Sequence, residues 1–341
     1  MENSEKFNYV SIIIPCYNEE RFIDSCLESL IDQDYLKENK DKVEIIIVDG
    51  LSKDRTREII EDYSKRYPFI KILNNPKRIT PTAMNIGIKS SRGDIIIRID
   101  AHSIYKKDYI SKCIRYLQEY NADNVGGILI TLPGGSSLIA KAIAMVLSHP
   151  FGIGNSYFRT GINEVKEVDT VPFGCYKREV FSKIGFFNEN LIRNQDIEFN
   201  LRLKRAGGKI LLVPDIICYY YARPSLRGLL KQNFENGFWV IYSLNYAEIP
   251  FSYRHLVPAV FFVSIILSLL MSLINRNMLY FLLSVLSVYT VLNLISSLSL
   301  SFIHGLKYFP FLLLTFPALH FSYGLGSLWG GVKLIFSKIR K

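Results

Sequence analysis

Five cysteines in 341 residues, an odd number with no C-x-x-C pair, are too few to form a disulfide framework. Cys16, Cys26, Cys113, Cys175 and Cys218 therefore read as reduced, mostly buried thiols of a cytosolic domain. Acidic residues are also scarce: 31 Asp and Glu against 41 Lys and Arg leave a formal charge of +10. The excess forms no long basic run and no nucleic-acid-binding motif is readable, so the expected partners are membrane lipids and a phosphate-bearing substrate, with no nucleic acid. The Gly-Gly pairs at 126–127 and 134–135 lack a phosphate-loop lysine. The five histidines are scattered, and no Ser-His-Asp constellation can be read. The opening MENSEKFNY has no apolar signal-peptide core, which places the expected catalytic part in the cytosol. Charge is nearly missing between residues 256 and 331, where only Arg276, Lys307 and two histidines interrupt an apolar text.

Up to about residue 253 short apolar runs alternate with amphipathic stretches, the pattern of βαβ units on a doubly wound, mostly parallel sheet. Strands are expected at 9–14 (closed by Pro15), 43–48, 69–73, 94–99 (ending at Asp100) and 209–213. Helices are expected at 19–32, 56–66, 81–89 (with Thr80 as N-cap and Pro81 in the first turn), 136–147, 197–206 and 225–242. Three candidate membrane spans follow, at 256–274, 278–298 and 308–329, each near the ~20 residues needed to cross hydrocarbon. Asn275-Arg276-Asn277 reads as a tight polar turn. Pro310 and Pro317 suggest that the third span is broken or re-entrant. The expected organisation is a catalytic domain over 1–253, whose 224–253 segment lies at the membrane interface, a membrane region over 254–331 and a basic tail over 332–341. Lys333, Lys338, Arg340 and Lys341 favour a cytosolic tail, whereas three full crossings would carry it outside.

In such sheets ligands bind beyond the carboxyl ends of the strands, and three of these ends carry acidic text. Asp49-Gly50 ends the second strand and Asp54 precedes the next helix. A carboxylate at 49 can accept from a base N–H while Gly50 lets a flat ring approach. The same residues also suit a water-facing turn and a helix cap. Asp100 and His102 are two apart in extended chain and so share a side, where carboxylate and imidazole suit Mn²⁺ or Mg²⁺ completed by diphosphate oxygens. Their alternative is a turn cap beside a loop histidine. Asp196 at a helix start can act as general base or simply stabilise the helix terminus. Glu198 cannot share its face and reads as structural. Arg223, Arg227, Gln232 and Trp239 suit either diphosphate and sugar contacts or lipid headgroups.

Four segments appear in one order: Ile13-Ile14-Pro15-Cys16-Tyr17-Asn18-Glu19, Val48-Asp49-Gly50-x-Ser52-x-Asp54-x-Thr56, Asp100-Ala101-His102, and Gly185-Phe186-Phe187-Asn188-Glu189 leading to Asn194-Gln195-Asp196. Together they resemble the family-two inverting glycosyltransferases with the GT-A fold. The stretches VPFGCYKREVF and HPFGIGNSYFR are similar to the branch of succinoglycan-type exopolysaccharide glucosyltransferases. The resemblance spans residues 9–239. It implies that Pro15, Tyr17, Glu19 and Asp49 hold the nucleoside, usually uridine, and that Asp54 supports them. It implies that Asp100 and His102 occupy the metal position, His102 standing where the family has a second carboxylate, and that Asp196 occupies the base position. Gln232 and Trp239 resemble the Gln-x-x-Arg-Trp element, with Phe238 where Arg precedes Trp in processive synthases. The function implied is inverting transfer of a hexose from a nucleotide diphosphate sugar, a UDP-sugar, to a polyprenyl-linked saccharide at the cell membrane. A processive synthase and a nucleotidyltransferase are the alternatives. The few spans and the altered Gln–Trp element count against the first, and the missing Gly-rich phosphate loop against the second.

Overall fold

A computed structural model describes residues 9–248 and 251–339. The polar residues 1–8 and the tail residues Arg340 and Lys341 lie outside the described residues. The chain divides into two units, one running up to Ile130 and resuming over Gly161–Tyr220, the other formed by Thr131–Thr160 and the chain from Tyr221 onward.

The first unit is built on a sheet of nine strands: β1 (Val10–Cys16), β2 (Val43–Asp49), β3 (Ile70–Asn74), β4 (Ile95–Arg98), β5 (Ser103–Tyr105), β6 (Asn124–Leu132), β7 (Lys166–Glu167), β8 (Cys175–Lys177) and β9 (Ile210–Tyr221). Their order is β3-β2-β1-β4-β8-β6-β9-β5, with β7 on β9. β3, β2, β1 and β4 are mutually parallel, and β4 passes to β8 by an antiparallel pairing. The unbroken Ile and Val runs of β1, β2 and β4 suit strands covered on both faces, and every residue of β2 is buried. One polar pin crosses this core: Glu44 accepts from Ser11 Oγ at 2.7 Å and from Lys71 Nζ at 2.7 Å, tying β1, β2 and β3 in register.

Several boundaries depart from expectation for local reasons. Pro15 does not close the first strand, which continues through Cys16. It faces Val48 of β2 beyond the point where β4 stops pairing at Ile13, so no ladder bond is lost to its missing N–H. Thr80 is not a cap but the first residue of the helix Thr80–Ser90, which Ile79 precedes in extended conformation. The strand expected over 209–213 runs the whole length of β9, because β9 lies between β6 and β5 in the sheet and β5 pairs with its end. The helix expected over 56–66 is Thr56–Arg66. All five cysteines are buried and none is joined in a disulfide.

In the second unit the helix Leu138–Val146 buries Ala142, Ile143 and Val146 against Leu312, Phe316 and Leu319. Ile143 is thus a core residue. His320 contacts the Tyr289 hydroxyl at 2.9 Å and the Gly152 carbonyl at 3.2 Å, fastening the loop after that helix. Two helical stretches, Arg276–His304 and Leu306–Ile339, are long and apolar enough to cross a membrane. The first candidate span is only the 15-residue helix Val257–Met271, shorter than a bilayer core requires. Asn275 turns the chain and caps the next helix by accepting from Asn277 N. The third candidate is not broken: Phe309–Ile339 is one helix with Pro317 inside it. Pro310 falls in its first turn, where no intrahelical N–H bond is lost. The expected interfacial helix, Leu226–Tyr242, is capped by Ser225 and keeps Arg227 and Lys231 exposed. Its Gly237 lies close against the Tyr323 carbonyl of the long helix.

Candidate active site

The carboxyl ends of β1, β2 and β4 carry the candidate residues of the first unit. Two loops there hold each other. Asn18 N–H donates to Ser52 Oγ at 2.9 Å, and Asn18 Oδ1 accepts from Lys53 N at 2.9 Å. Glu19 N–H donates to Thr56 Oγ1 at 2.7 Å. Asp54 accepts from Glu20 N at 3.3 Å and Thr56 N at 3.1 Å, so it both starts the helix Thr56–Arg66 and clamps the first loop. Burial opposes the charge of Asp54, but its bonds from Thr56 and Glu20 hold the carboxyl below its ordinary range.

Asp49 does not face water. It is 1% exposed, accepts from Ser52 Oγ at 2.6 Å and lies 3.5 Å from the Arg57 guanidinium. Gly50 is packed so closely under the Tyr17 ring that a Cβ would stand 2.9 Å from Tyr17 Cδ2. Tyr17 itself is exposed, with the Arg78 guanidinium 5.9 Å from its ring centre. Pro15 sits half-buried near the end of β1 beside this group.

Asp100 and His102 meet, though not through extended chain. β4 ends at Arg98, and the backbone turns so that Ser103 N–H donates to the Asp100 carbonyl at 3.2 Å. The turn brings Asp100 Oδ1 to 2.9 Å from His102 Nδ1, and Glu19 Oε1 lies 3.3 Å from the same nitrogen. The His102 ring packs 5.2 Å from that of Tyr220 on β9. Burial disfavours both charges, yet each stabilises the other. His102 is raised well above the usual imidazole range by Asp100, then by Glu19. Asp100 is lowered to about 2 by His102, then by Arg98. Asp100, Glu19 and His102 thus bring carboxylate oxygens and an imidazole nitrogen to one place, donor types that can bind a divalent ion. Among the described residues no group of three or more His, Cys, Asp or Glu is arranged to hold a metal.

Asp196 lies in the first turn of the helix Gln195–Arg205, which Asn194 enters in left-handed conformation at φ 60°. Its Oδ1 accepts from Ile197 N at 3.0 Å, and its Oδ2 lies 3.7 Å from Arg98 Nη1. Glu198 instead pairs with Arg202 at 2.9 Å, a structural brace within the helix. Arg223, Gln232 and Trp239 belong to the second unit. Arg223 is exposed ahead of the helix Leu226–Tyr242. Gln232 and Trp239 are half-buried seven residues apart, about two turns and so on one side of it. The Trp239 ring packs 5.7 Å from Phe238 and from Tyr242.

Sequence reasoning missed Arg98 and Arg78. The signal for the first was a lone arginine within the Ile run of β4. The second sits at φ 57°, a turn no local motif announced.

A family model, Glycosyl transferase family 2, matches residues 11–185. The dolichyl N-acetyl-alpha-D-glucosaminyl phosphate 3-beta-D-2,3-diacetamido-2,3-dideoxy-beta-D-glucuronosyltransferase of Methanococcus voltae is 35% identical over 238 residues, 67% of this chain and 72% of that protein. The succinoglycan biosynthesis protein ExoA of Rhizobium meliloti (strain 1021) is 32% identical over 66% of this chain and 67% of its own length. In structure, the mannosyltransferase PcManGT of Pyrobaculum calidifontis, solved in complex with GDP-Man and Mn²⁺, aligns with a TM-score of 0.63 over 98% of this chain and 88% of that one, at 16% identity. That likeness shows the fold, GT-A. The strand ends that carry Asp49, Asp100 and Asp196's neighbour Arg98 thus stand on a known scaffold, and the chain belongs to glycosyl transferase family 2.

Proposed function

We propose that this glycosyltransferase moves a hexose, with inversion, from a nucleotide diphosphate sugar to a polyprenyl-linked saccharide at the cytosolic face of a membrane. The observation that carries the reading is the meeting of Asp100 and His102 at 2.9 Å, beyond the carboxyl ends of the same strands that carry Asp49 and Tyr17. Pro15, Tyr17, Glu19 and Asp49 would take the nucleoside, usually uridine, with Asp54 holding their loops together. A divalent ion, Mn²⁺ or Mg²⁺, would be held by Asp100 and His102 and would supply positive charge to the diphosphate. Relatives whose names specify dolichyl-phosphate sugars or succinoglycan biosynthesis support a lipid-linked acceptor. The two long apolar helices support a site held at the bilayer.

Asp196 is the base. Its carboxylate takes the proton of an acceptor hydroxyl, and that oxygen attacks the anomeric carbon from the face opposite the diphosphate. The bond from the anomeric carbon to the phosphate oxygen breaks, and the nucleoside diphosphate leaves. One displacement inverts the centre. Arg223, Gln232 and Trp239 would contribute diphosphate and sugar contacts.

Calorimetric titration with UDP, with and without Mn²⁺, tests the donor site in the wild type and in Asp100→Ala. Metal-dependent binding that Asp100→Ala abolishes is the expected result. UDP binding that ignores both metal and substitution would sink the assignment of Asp100. Binding of GDP alone would transfer the reading to a GDP-sugar.

A further inference from the structure

The last residue of β4 is an arginine among isoleucines: Ile95, Ile96 and Ile97 are fully buried and Arg98 is 8% exposed. A guanidinium stays charged at every pH a folded protein meets and presents five N–H donors. Taking it out of water is costly unless acceptors replace the lost hydration. Among the described residues, the carboxylate within 4.0 Å of Arg98 is that of Asp196, at 3.7 Å, and Arg98 Nε is buried with no acceptor.

Comparison with Arg202, less than two turns from Asp196 on the same helix, shows what a purely structural arginine looks like here. Arg202 donates to both Glu198 oxygens, at 2.9 and 3.0 Å, and to the carbonyls of Ile184 and Phe186. Its donors are spent on the fold. Those of Arg98 are not: Asp100 feels its charge, but among the described residues the carboxylate at ion-pair distance is that of the candidate base. The Asp196 carboxylate is held at both oxygens, Oδ1 by a hydrogen bond from the Ile197 N–H at 3.0 Å and Oδ2 by the charge of Arg98 at an ion-pair distance of 3.7 Å. The first grip is local and leaves the carboxylate free to swing about it. The second comes from the sheet and fixes the swing relative to the strand end that bears Asp100.

We propose that Arg98 is the positioning residue of the base: it holds the Asp196 carboxylate in one orientation, so that its proton-accepting lone pair meets the acceptor hydroxyl. This rests on the reading of Asp196 as base. A carboxylate released from that grip loses alignment, and misplacement of about 1 Å costs on the order of a hundredfold in rate.

The test measures UDP or GDP release by the full chain, using whichever of UDP-glucose, UDP-N-acetylglucosamine and GDP-mannose it turns over. Water and a polyprenyl-diphosphate-linked monosaccharide serve as acceptors. Arg98→Met, Arg98→Lys, Asp196→Asn and the double variant Arg98→Met/Asp196→Asn are compared. Arg98→Met should lower kcat on the order of a hundredfold while leaving donor KM and nucleotide binding near wild type. Arg98→Lys, which keeps the charge, should recover part of the loss. In the Asp196→Asn background, Arg98→Met should cost nothing further. Full kcat in Arg98→Met beside an inactive Asp196→Asn would overturn the proposal and leave the base standing. So would a rise in donor KM at unchanged kcat, which would make Arg98 a donor contact, or an equal loss in both backgrounds. Wild-type kcat in Asp196→Asn would overturn the base and this proposal with it. Should Arg98→Met fail to bind nucleotide because it is unfolded, Arg98→Lys decides: full donor binding with reduced kcat supports positioning, and unchanged kcat refutes it.

Discussion

Asn293 donates its side-chain amide to the carbonyl of Leu313 at 3.1 Å, and Leu313 is the residue whose helical partner Pro317 cannot supply. Proline at position 317 removes the N–H that would bond four residues back. In an apolar helix the orphaned carbonyl has no water to turn to, so a neighbouring side chain satisfies it. Asn293→Leu should therefore lower stability in detergent by about 1–3 kcal/mol. Pro317→Ala restores the N–H, and combined with Asn293→Leu it should recover most of the loss. Thermal melts of the four combinations check this, and an undiminished cost in the Pro317→Ala background would refute it.

The helices Leu226–Tyr242 and Phe309–Ile339 approach at backbone distance. A Cβ on Gly326 would stand 2.0 Å from the Phe234 carbonyl oxygen, a contact that no side-chain rotation relieves. Gly326→Ala should cost about 1–3 kcal/mol through forced separation. Gly331, whose added Cβ would meet nothing nearer than Ile241 at 3.9 Å, is the control. Gly331→Ala should be neutral or gain up to about 1 kcal/mol from helix propensity. Melting temperatures of the two variants should thus move apart, and equal shifts would contradict the packing.

At Gly50 the obstacle is an exposed ring rather than backbone. Gly50→Ala should displace Tyr17 and weaken UDP binding about tenfold, while the melting temperature stays close to wild type because the Tyr17 ring can yield into solvent. Isothermal titration beside a thermal melt distinguishes this from a folding defect. Unchanged UDP affinity would remove Tyr17 from the nucleoside site.

Glu189 links the helix Thr80–Ser90 to the segment before Asp196. It accepts from Lys77 at 2.7 Å, Asn85 at 2.9 Å and Thr82 at 2.9 Å. Lys77, then Asn85, lower its pKa from the ordinary 4.5 to about 2. Because the folded value lies below the unfolded one, this stabilisation is fully present above pH 4.5 and is lost as pH falls from there toward 2. Glu189→Gln should flatten the acid side of the stability profile across that window. Equilibrium unfolding at a series of pH values reads the slope, and parallel profiles for the two proteins would count against it.

Much of this was legible because single residues and short periods carried it. The Ile and Val runs announced β1, β2 and β4, and the alternation of apolar runs with amphipathic stretches announced the helix Thr56–Arg66. Acidic residues at strand ends marked Asp49 and Asp100. What failed to show depended on partners remote in the chain. β9 looked like a five-residue strand because Pro214 and Asp215 interrupt it, and its place between β6 and β5 carries it on to Tyr221. Pro317 looked like a break because Asn293, 24 residues earlier, could not be known to answer it.

By itself, the sequence determined the family, through four motifs in order, and the alternation of apolar runs that makes a GT-A sheet. It also determined where apolar helices would form, since hydrophobic burial follows composition and period. The tertiary structure alone decided how the carboxylates are served. It turned the chain after β4 so that Asp100 meets His102, buried Asp49 against Ser52, and set Arg98 beside Asp196 with donors to spare. Only the last joins side chains far apart in sequence, but all three are matters of distance and burial, on which electrostatic energy depends, rather than of order along the chain.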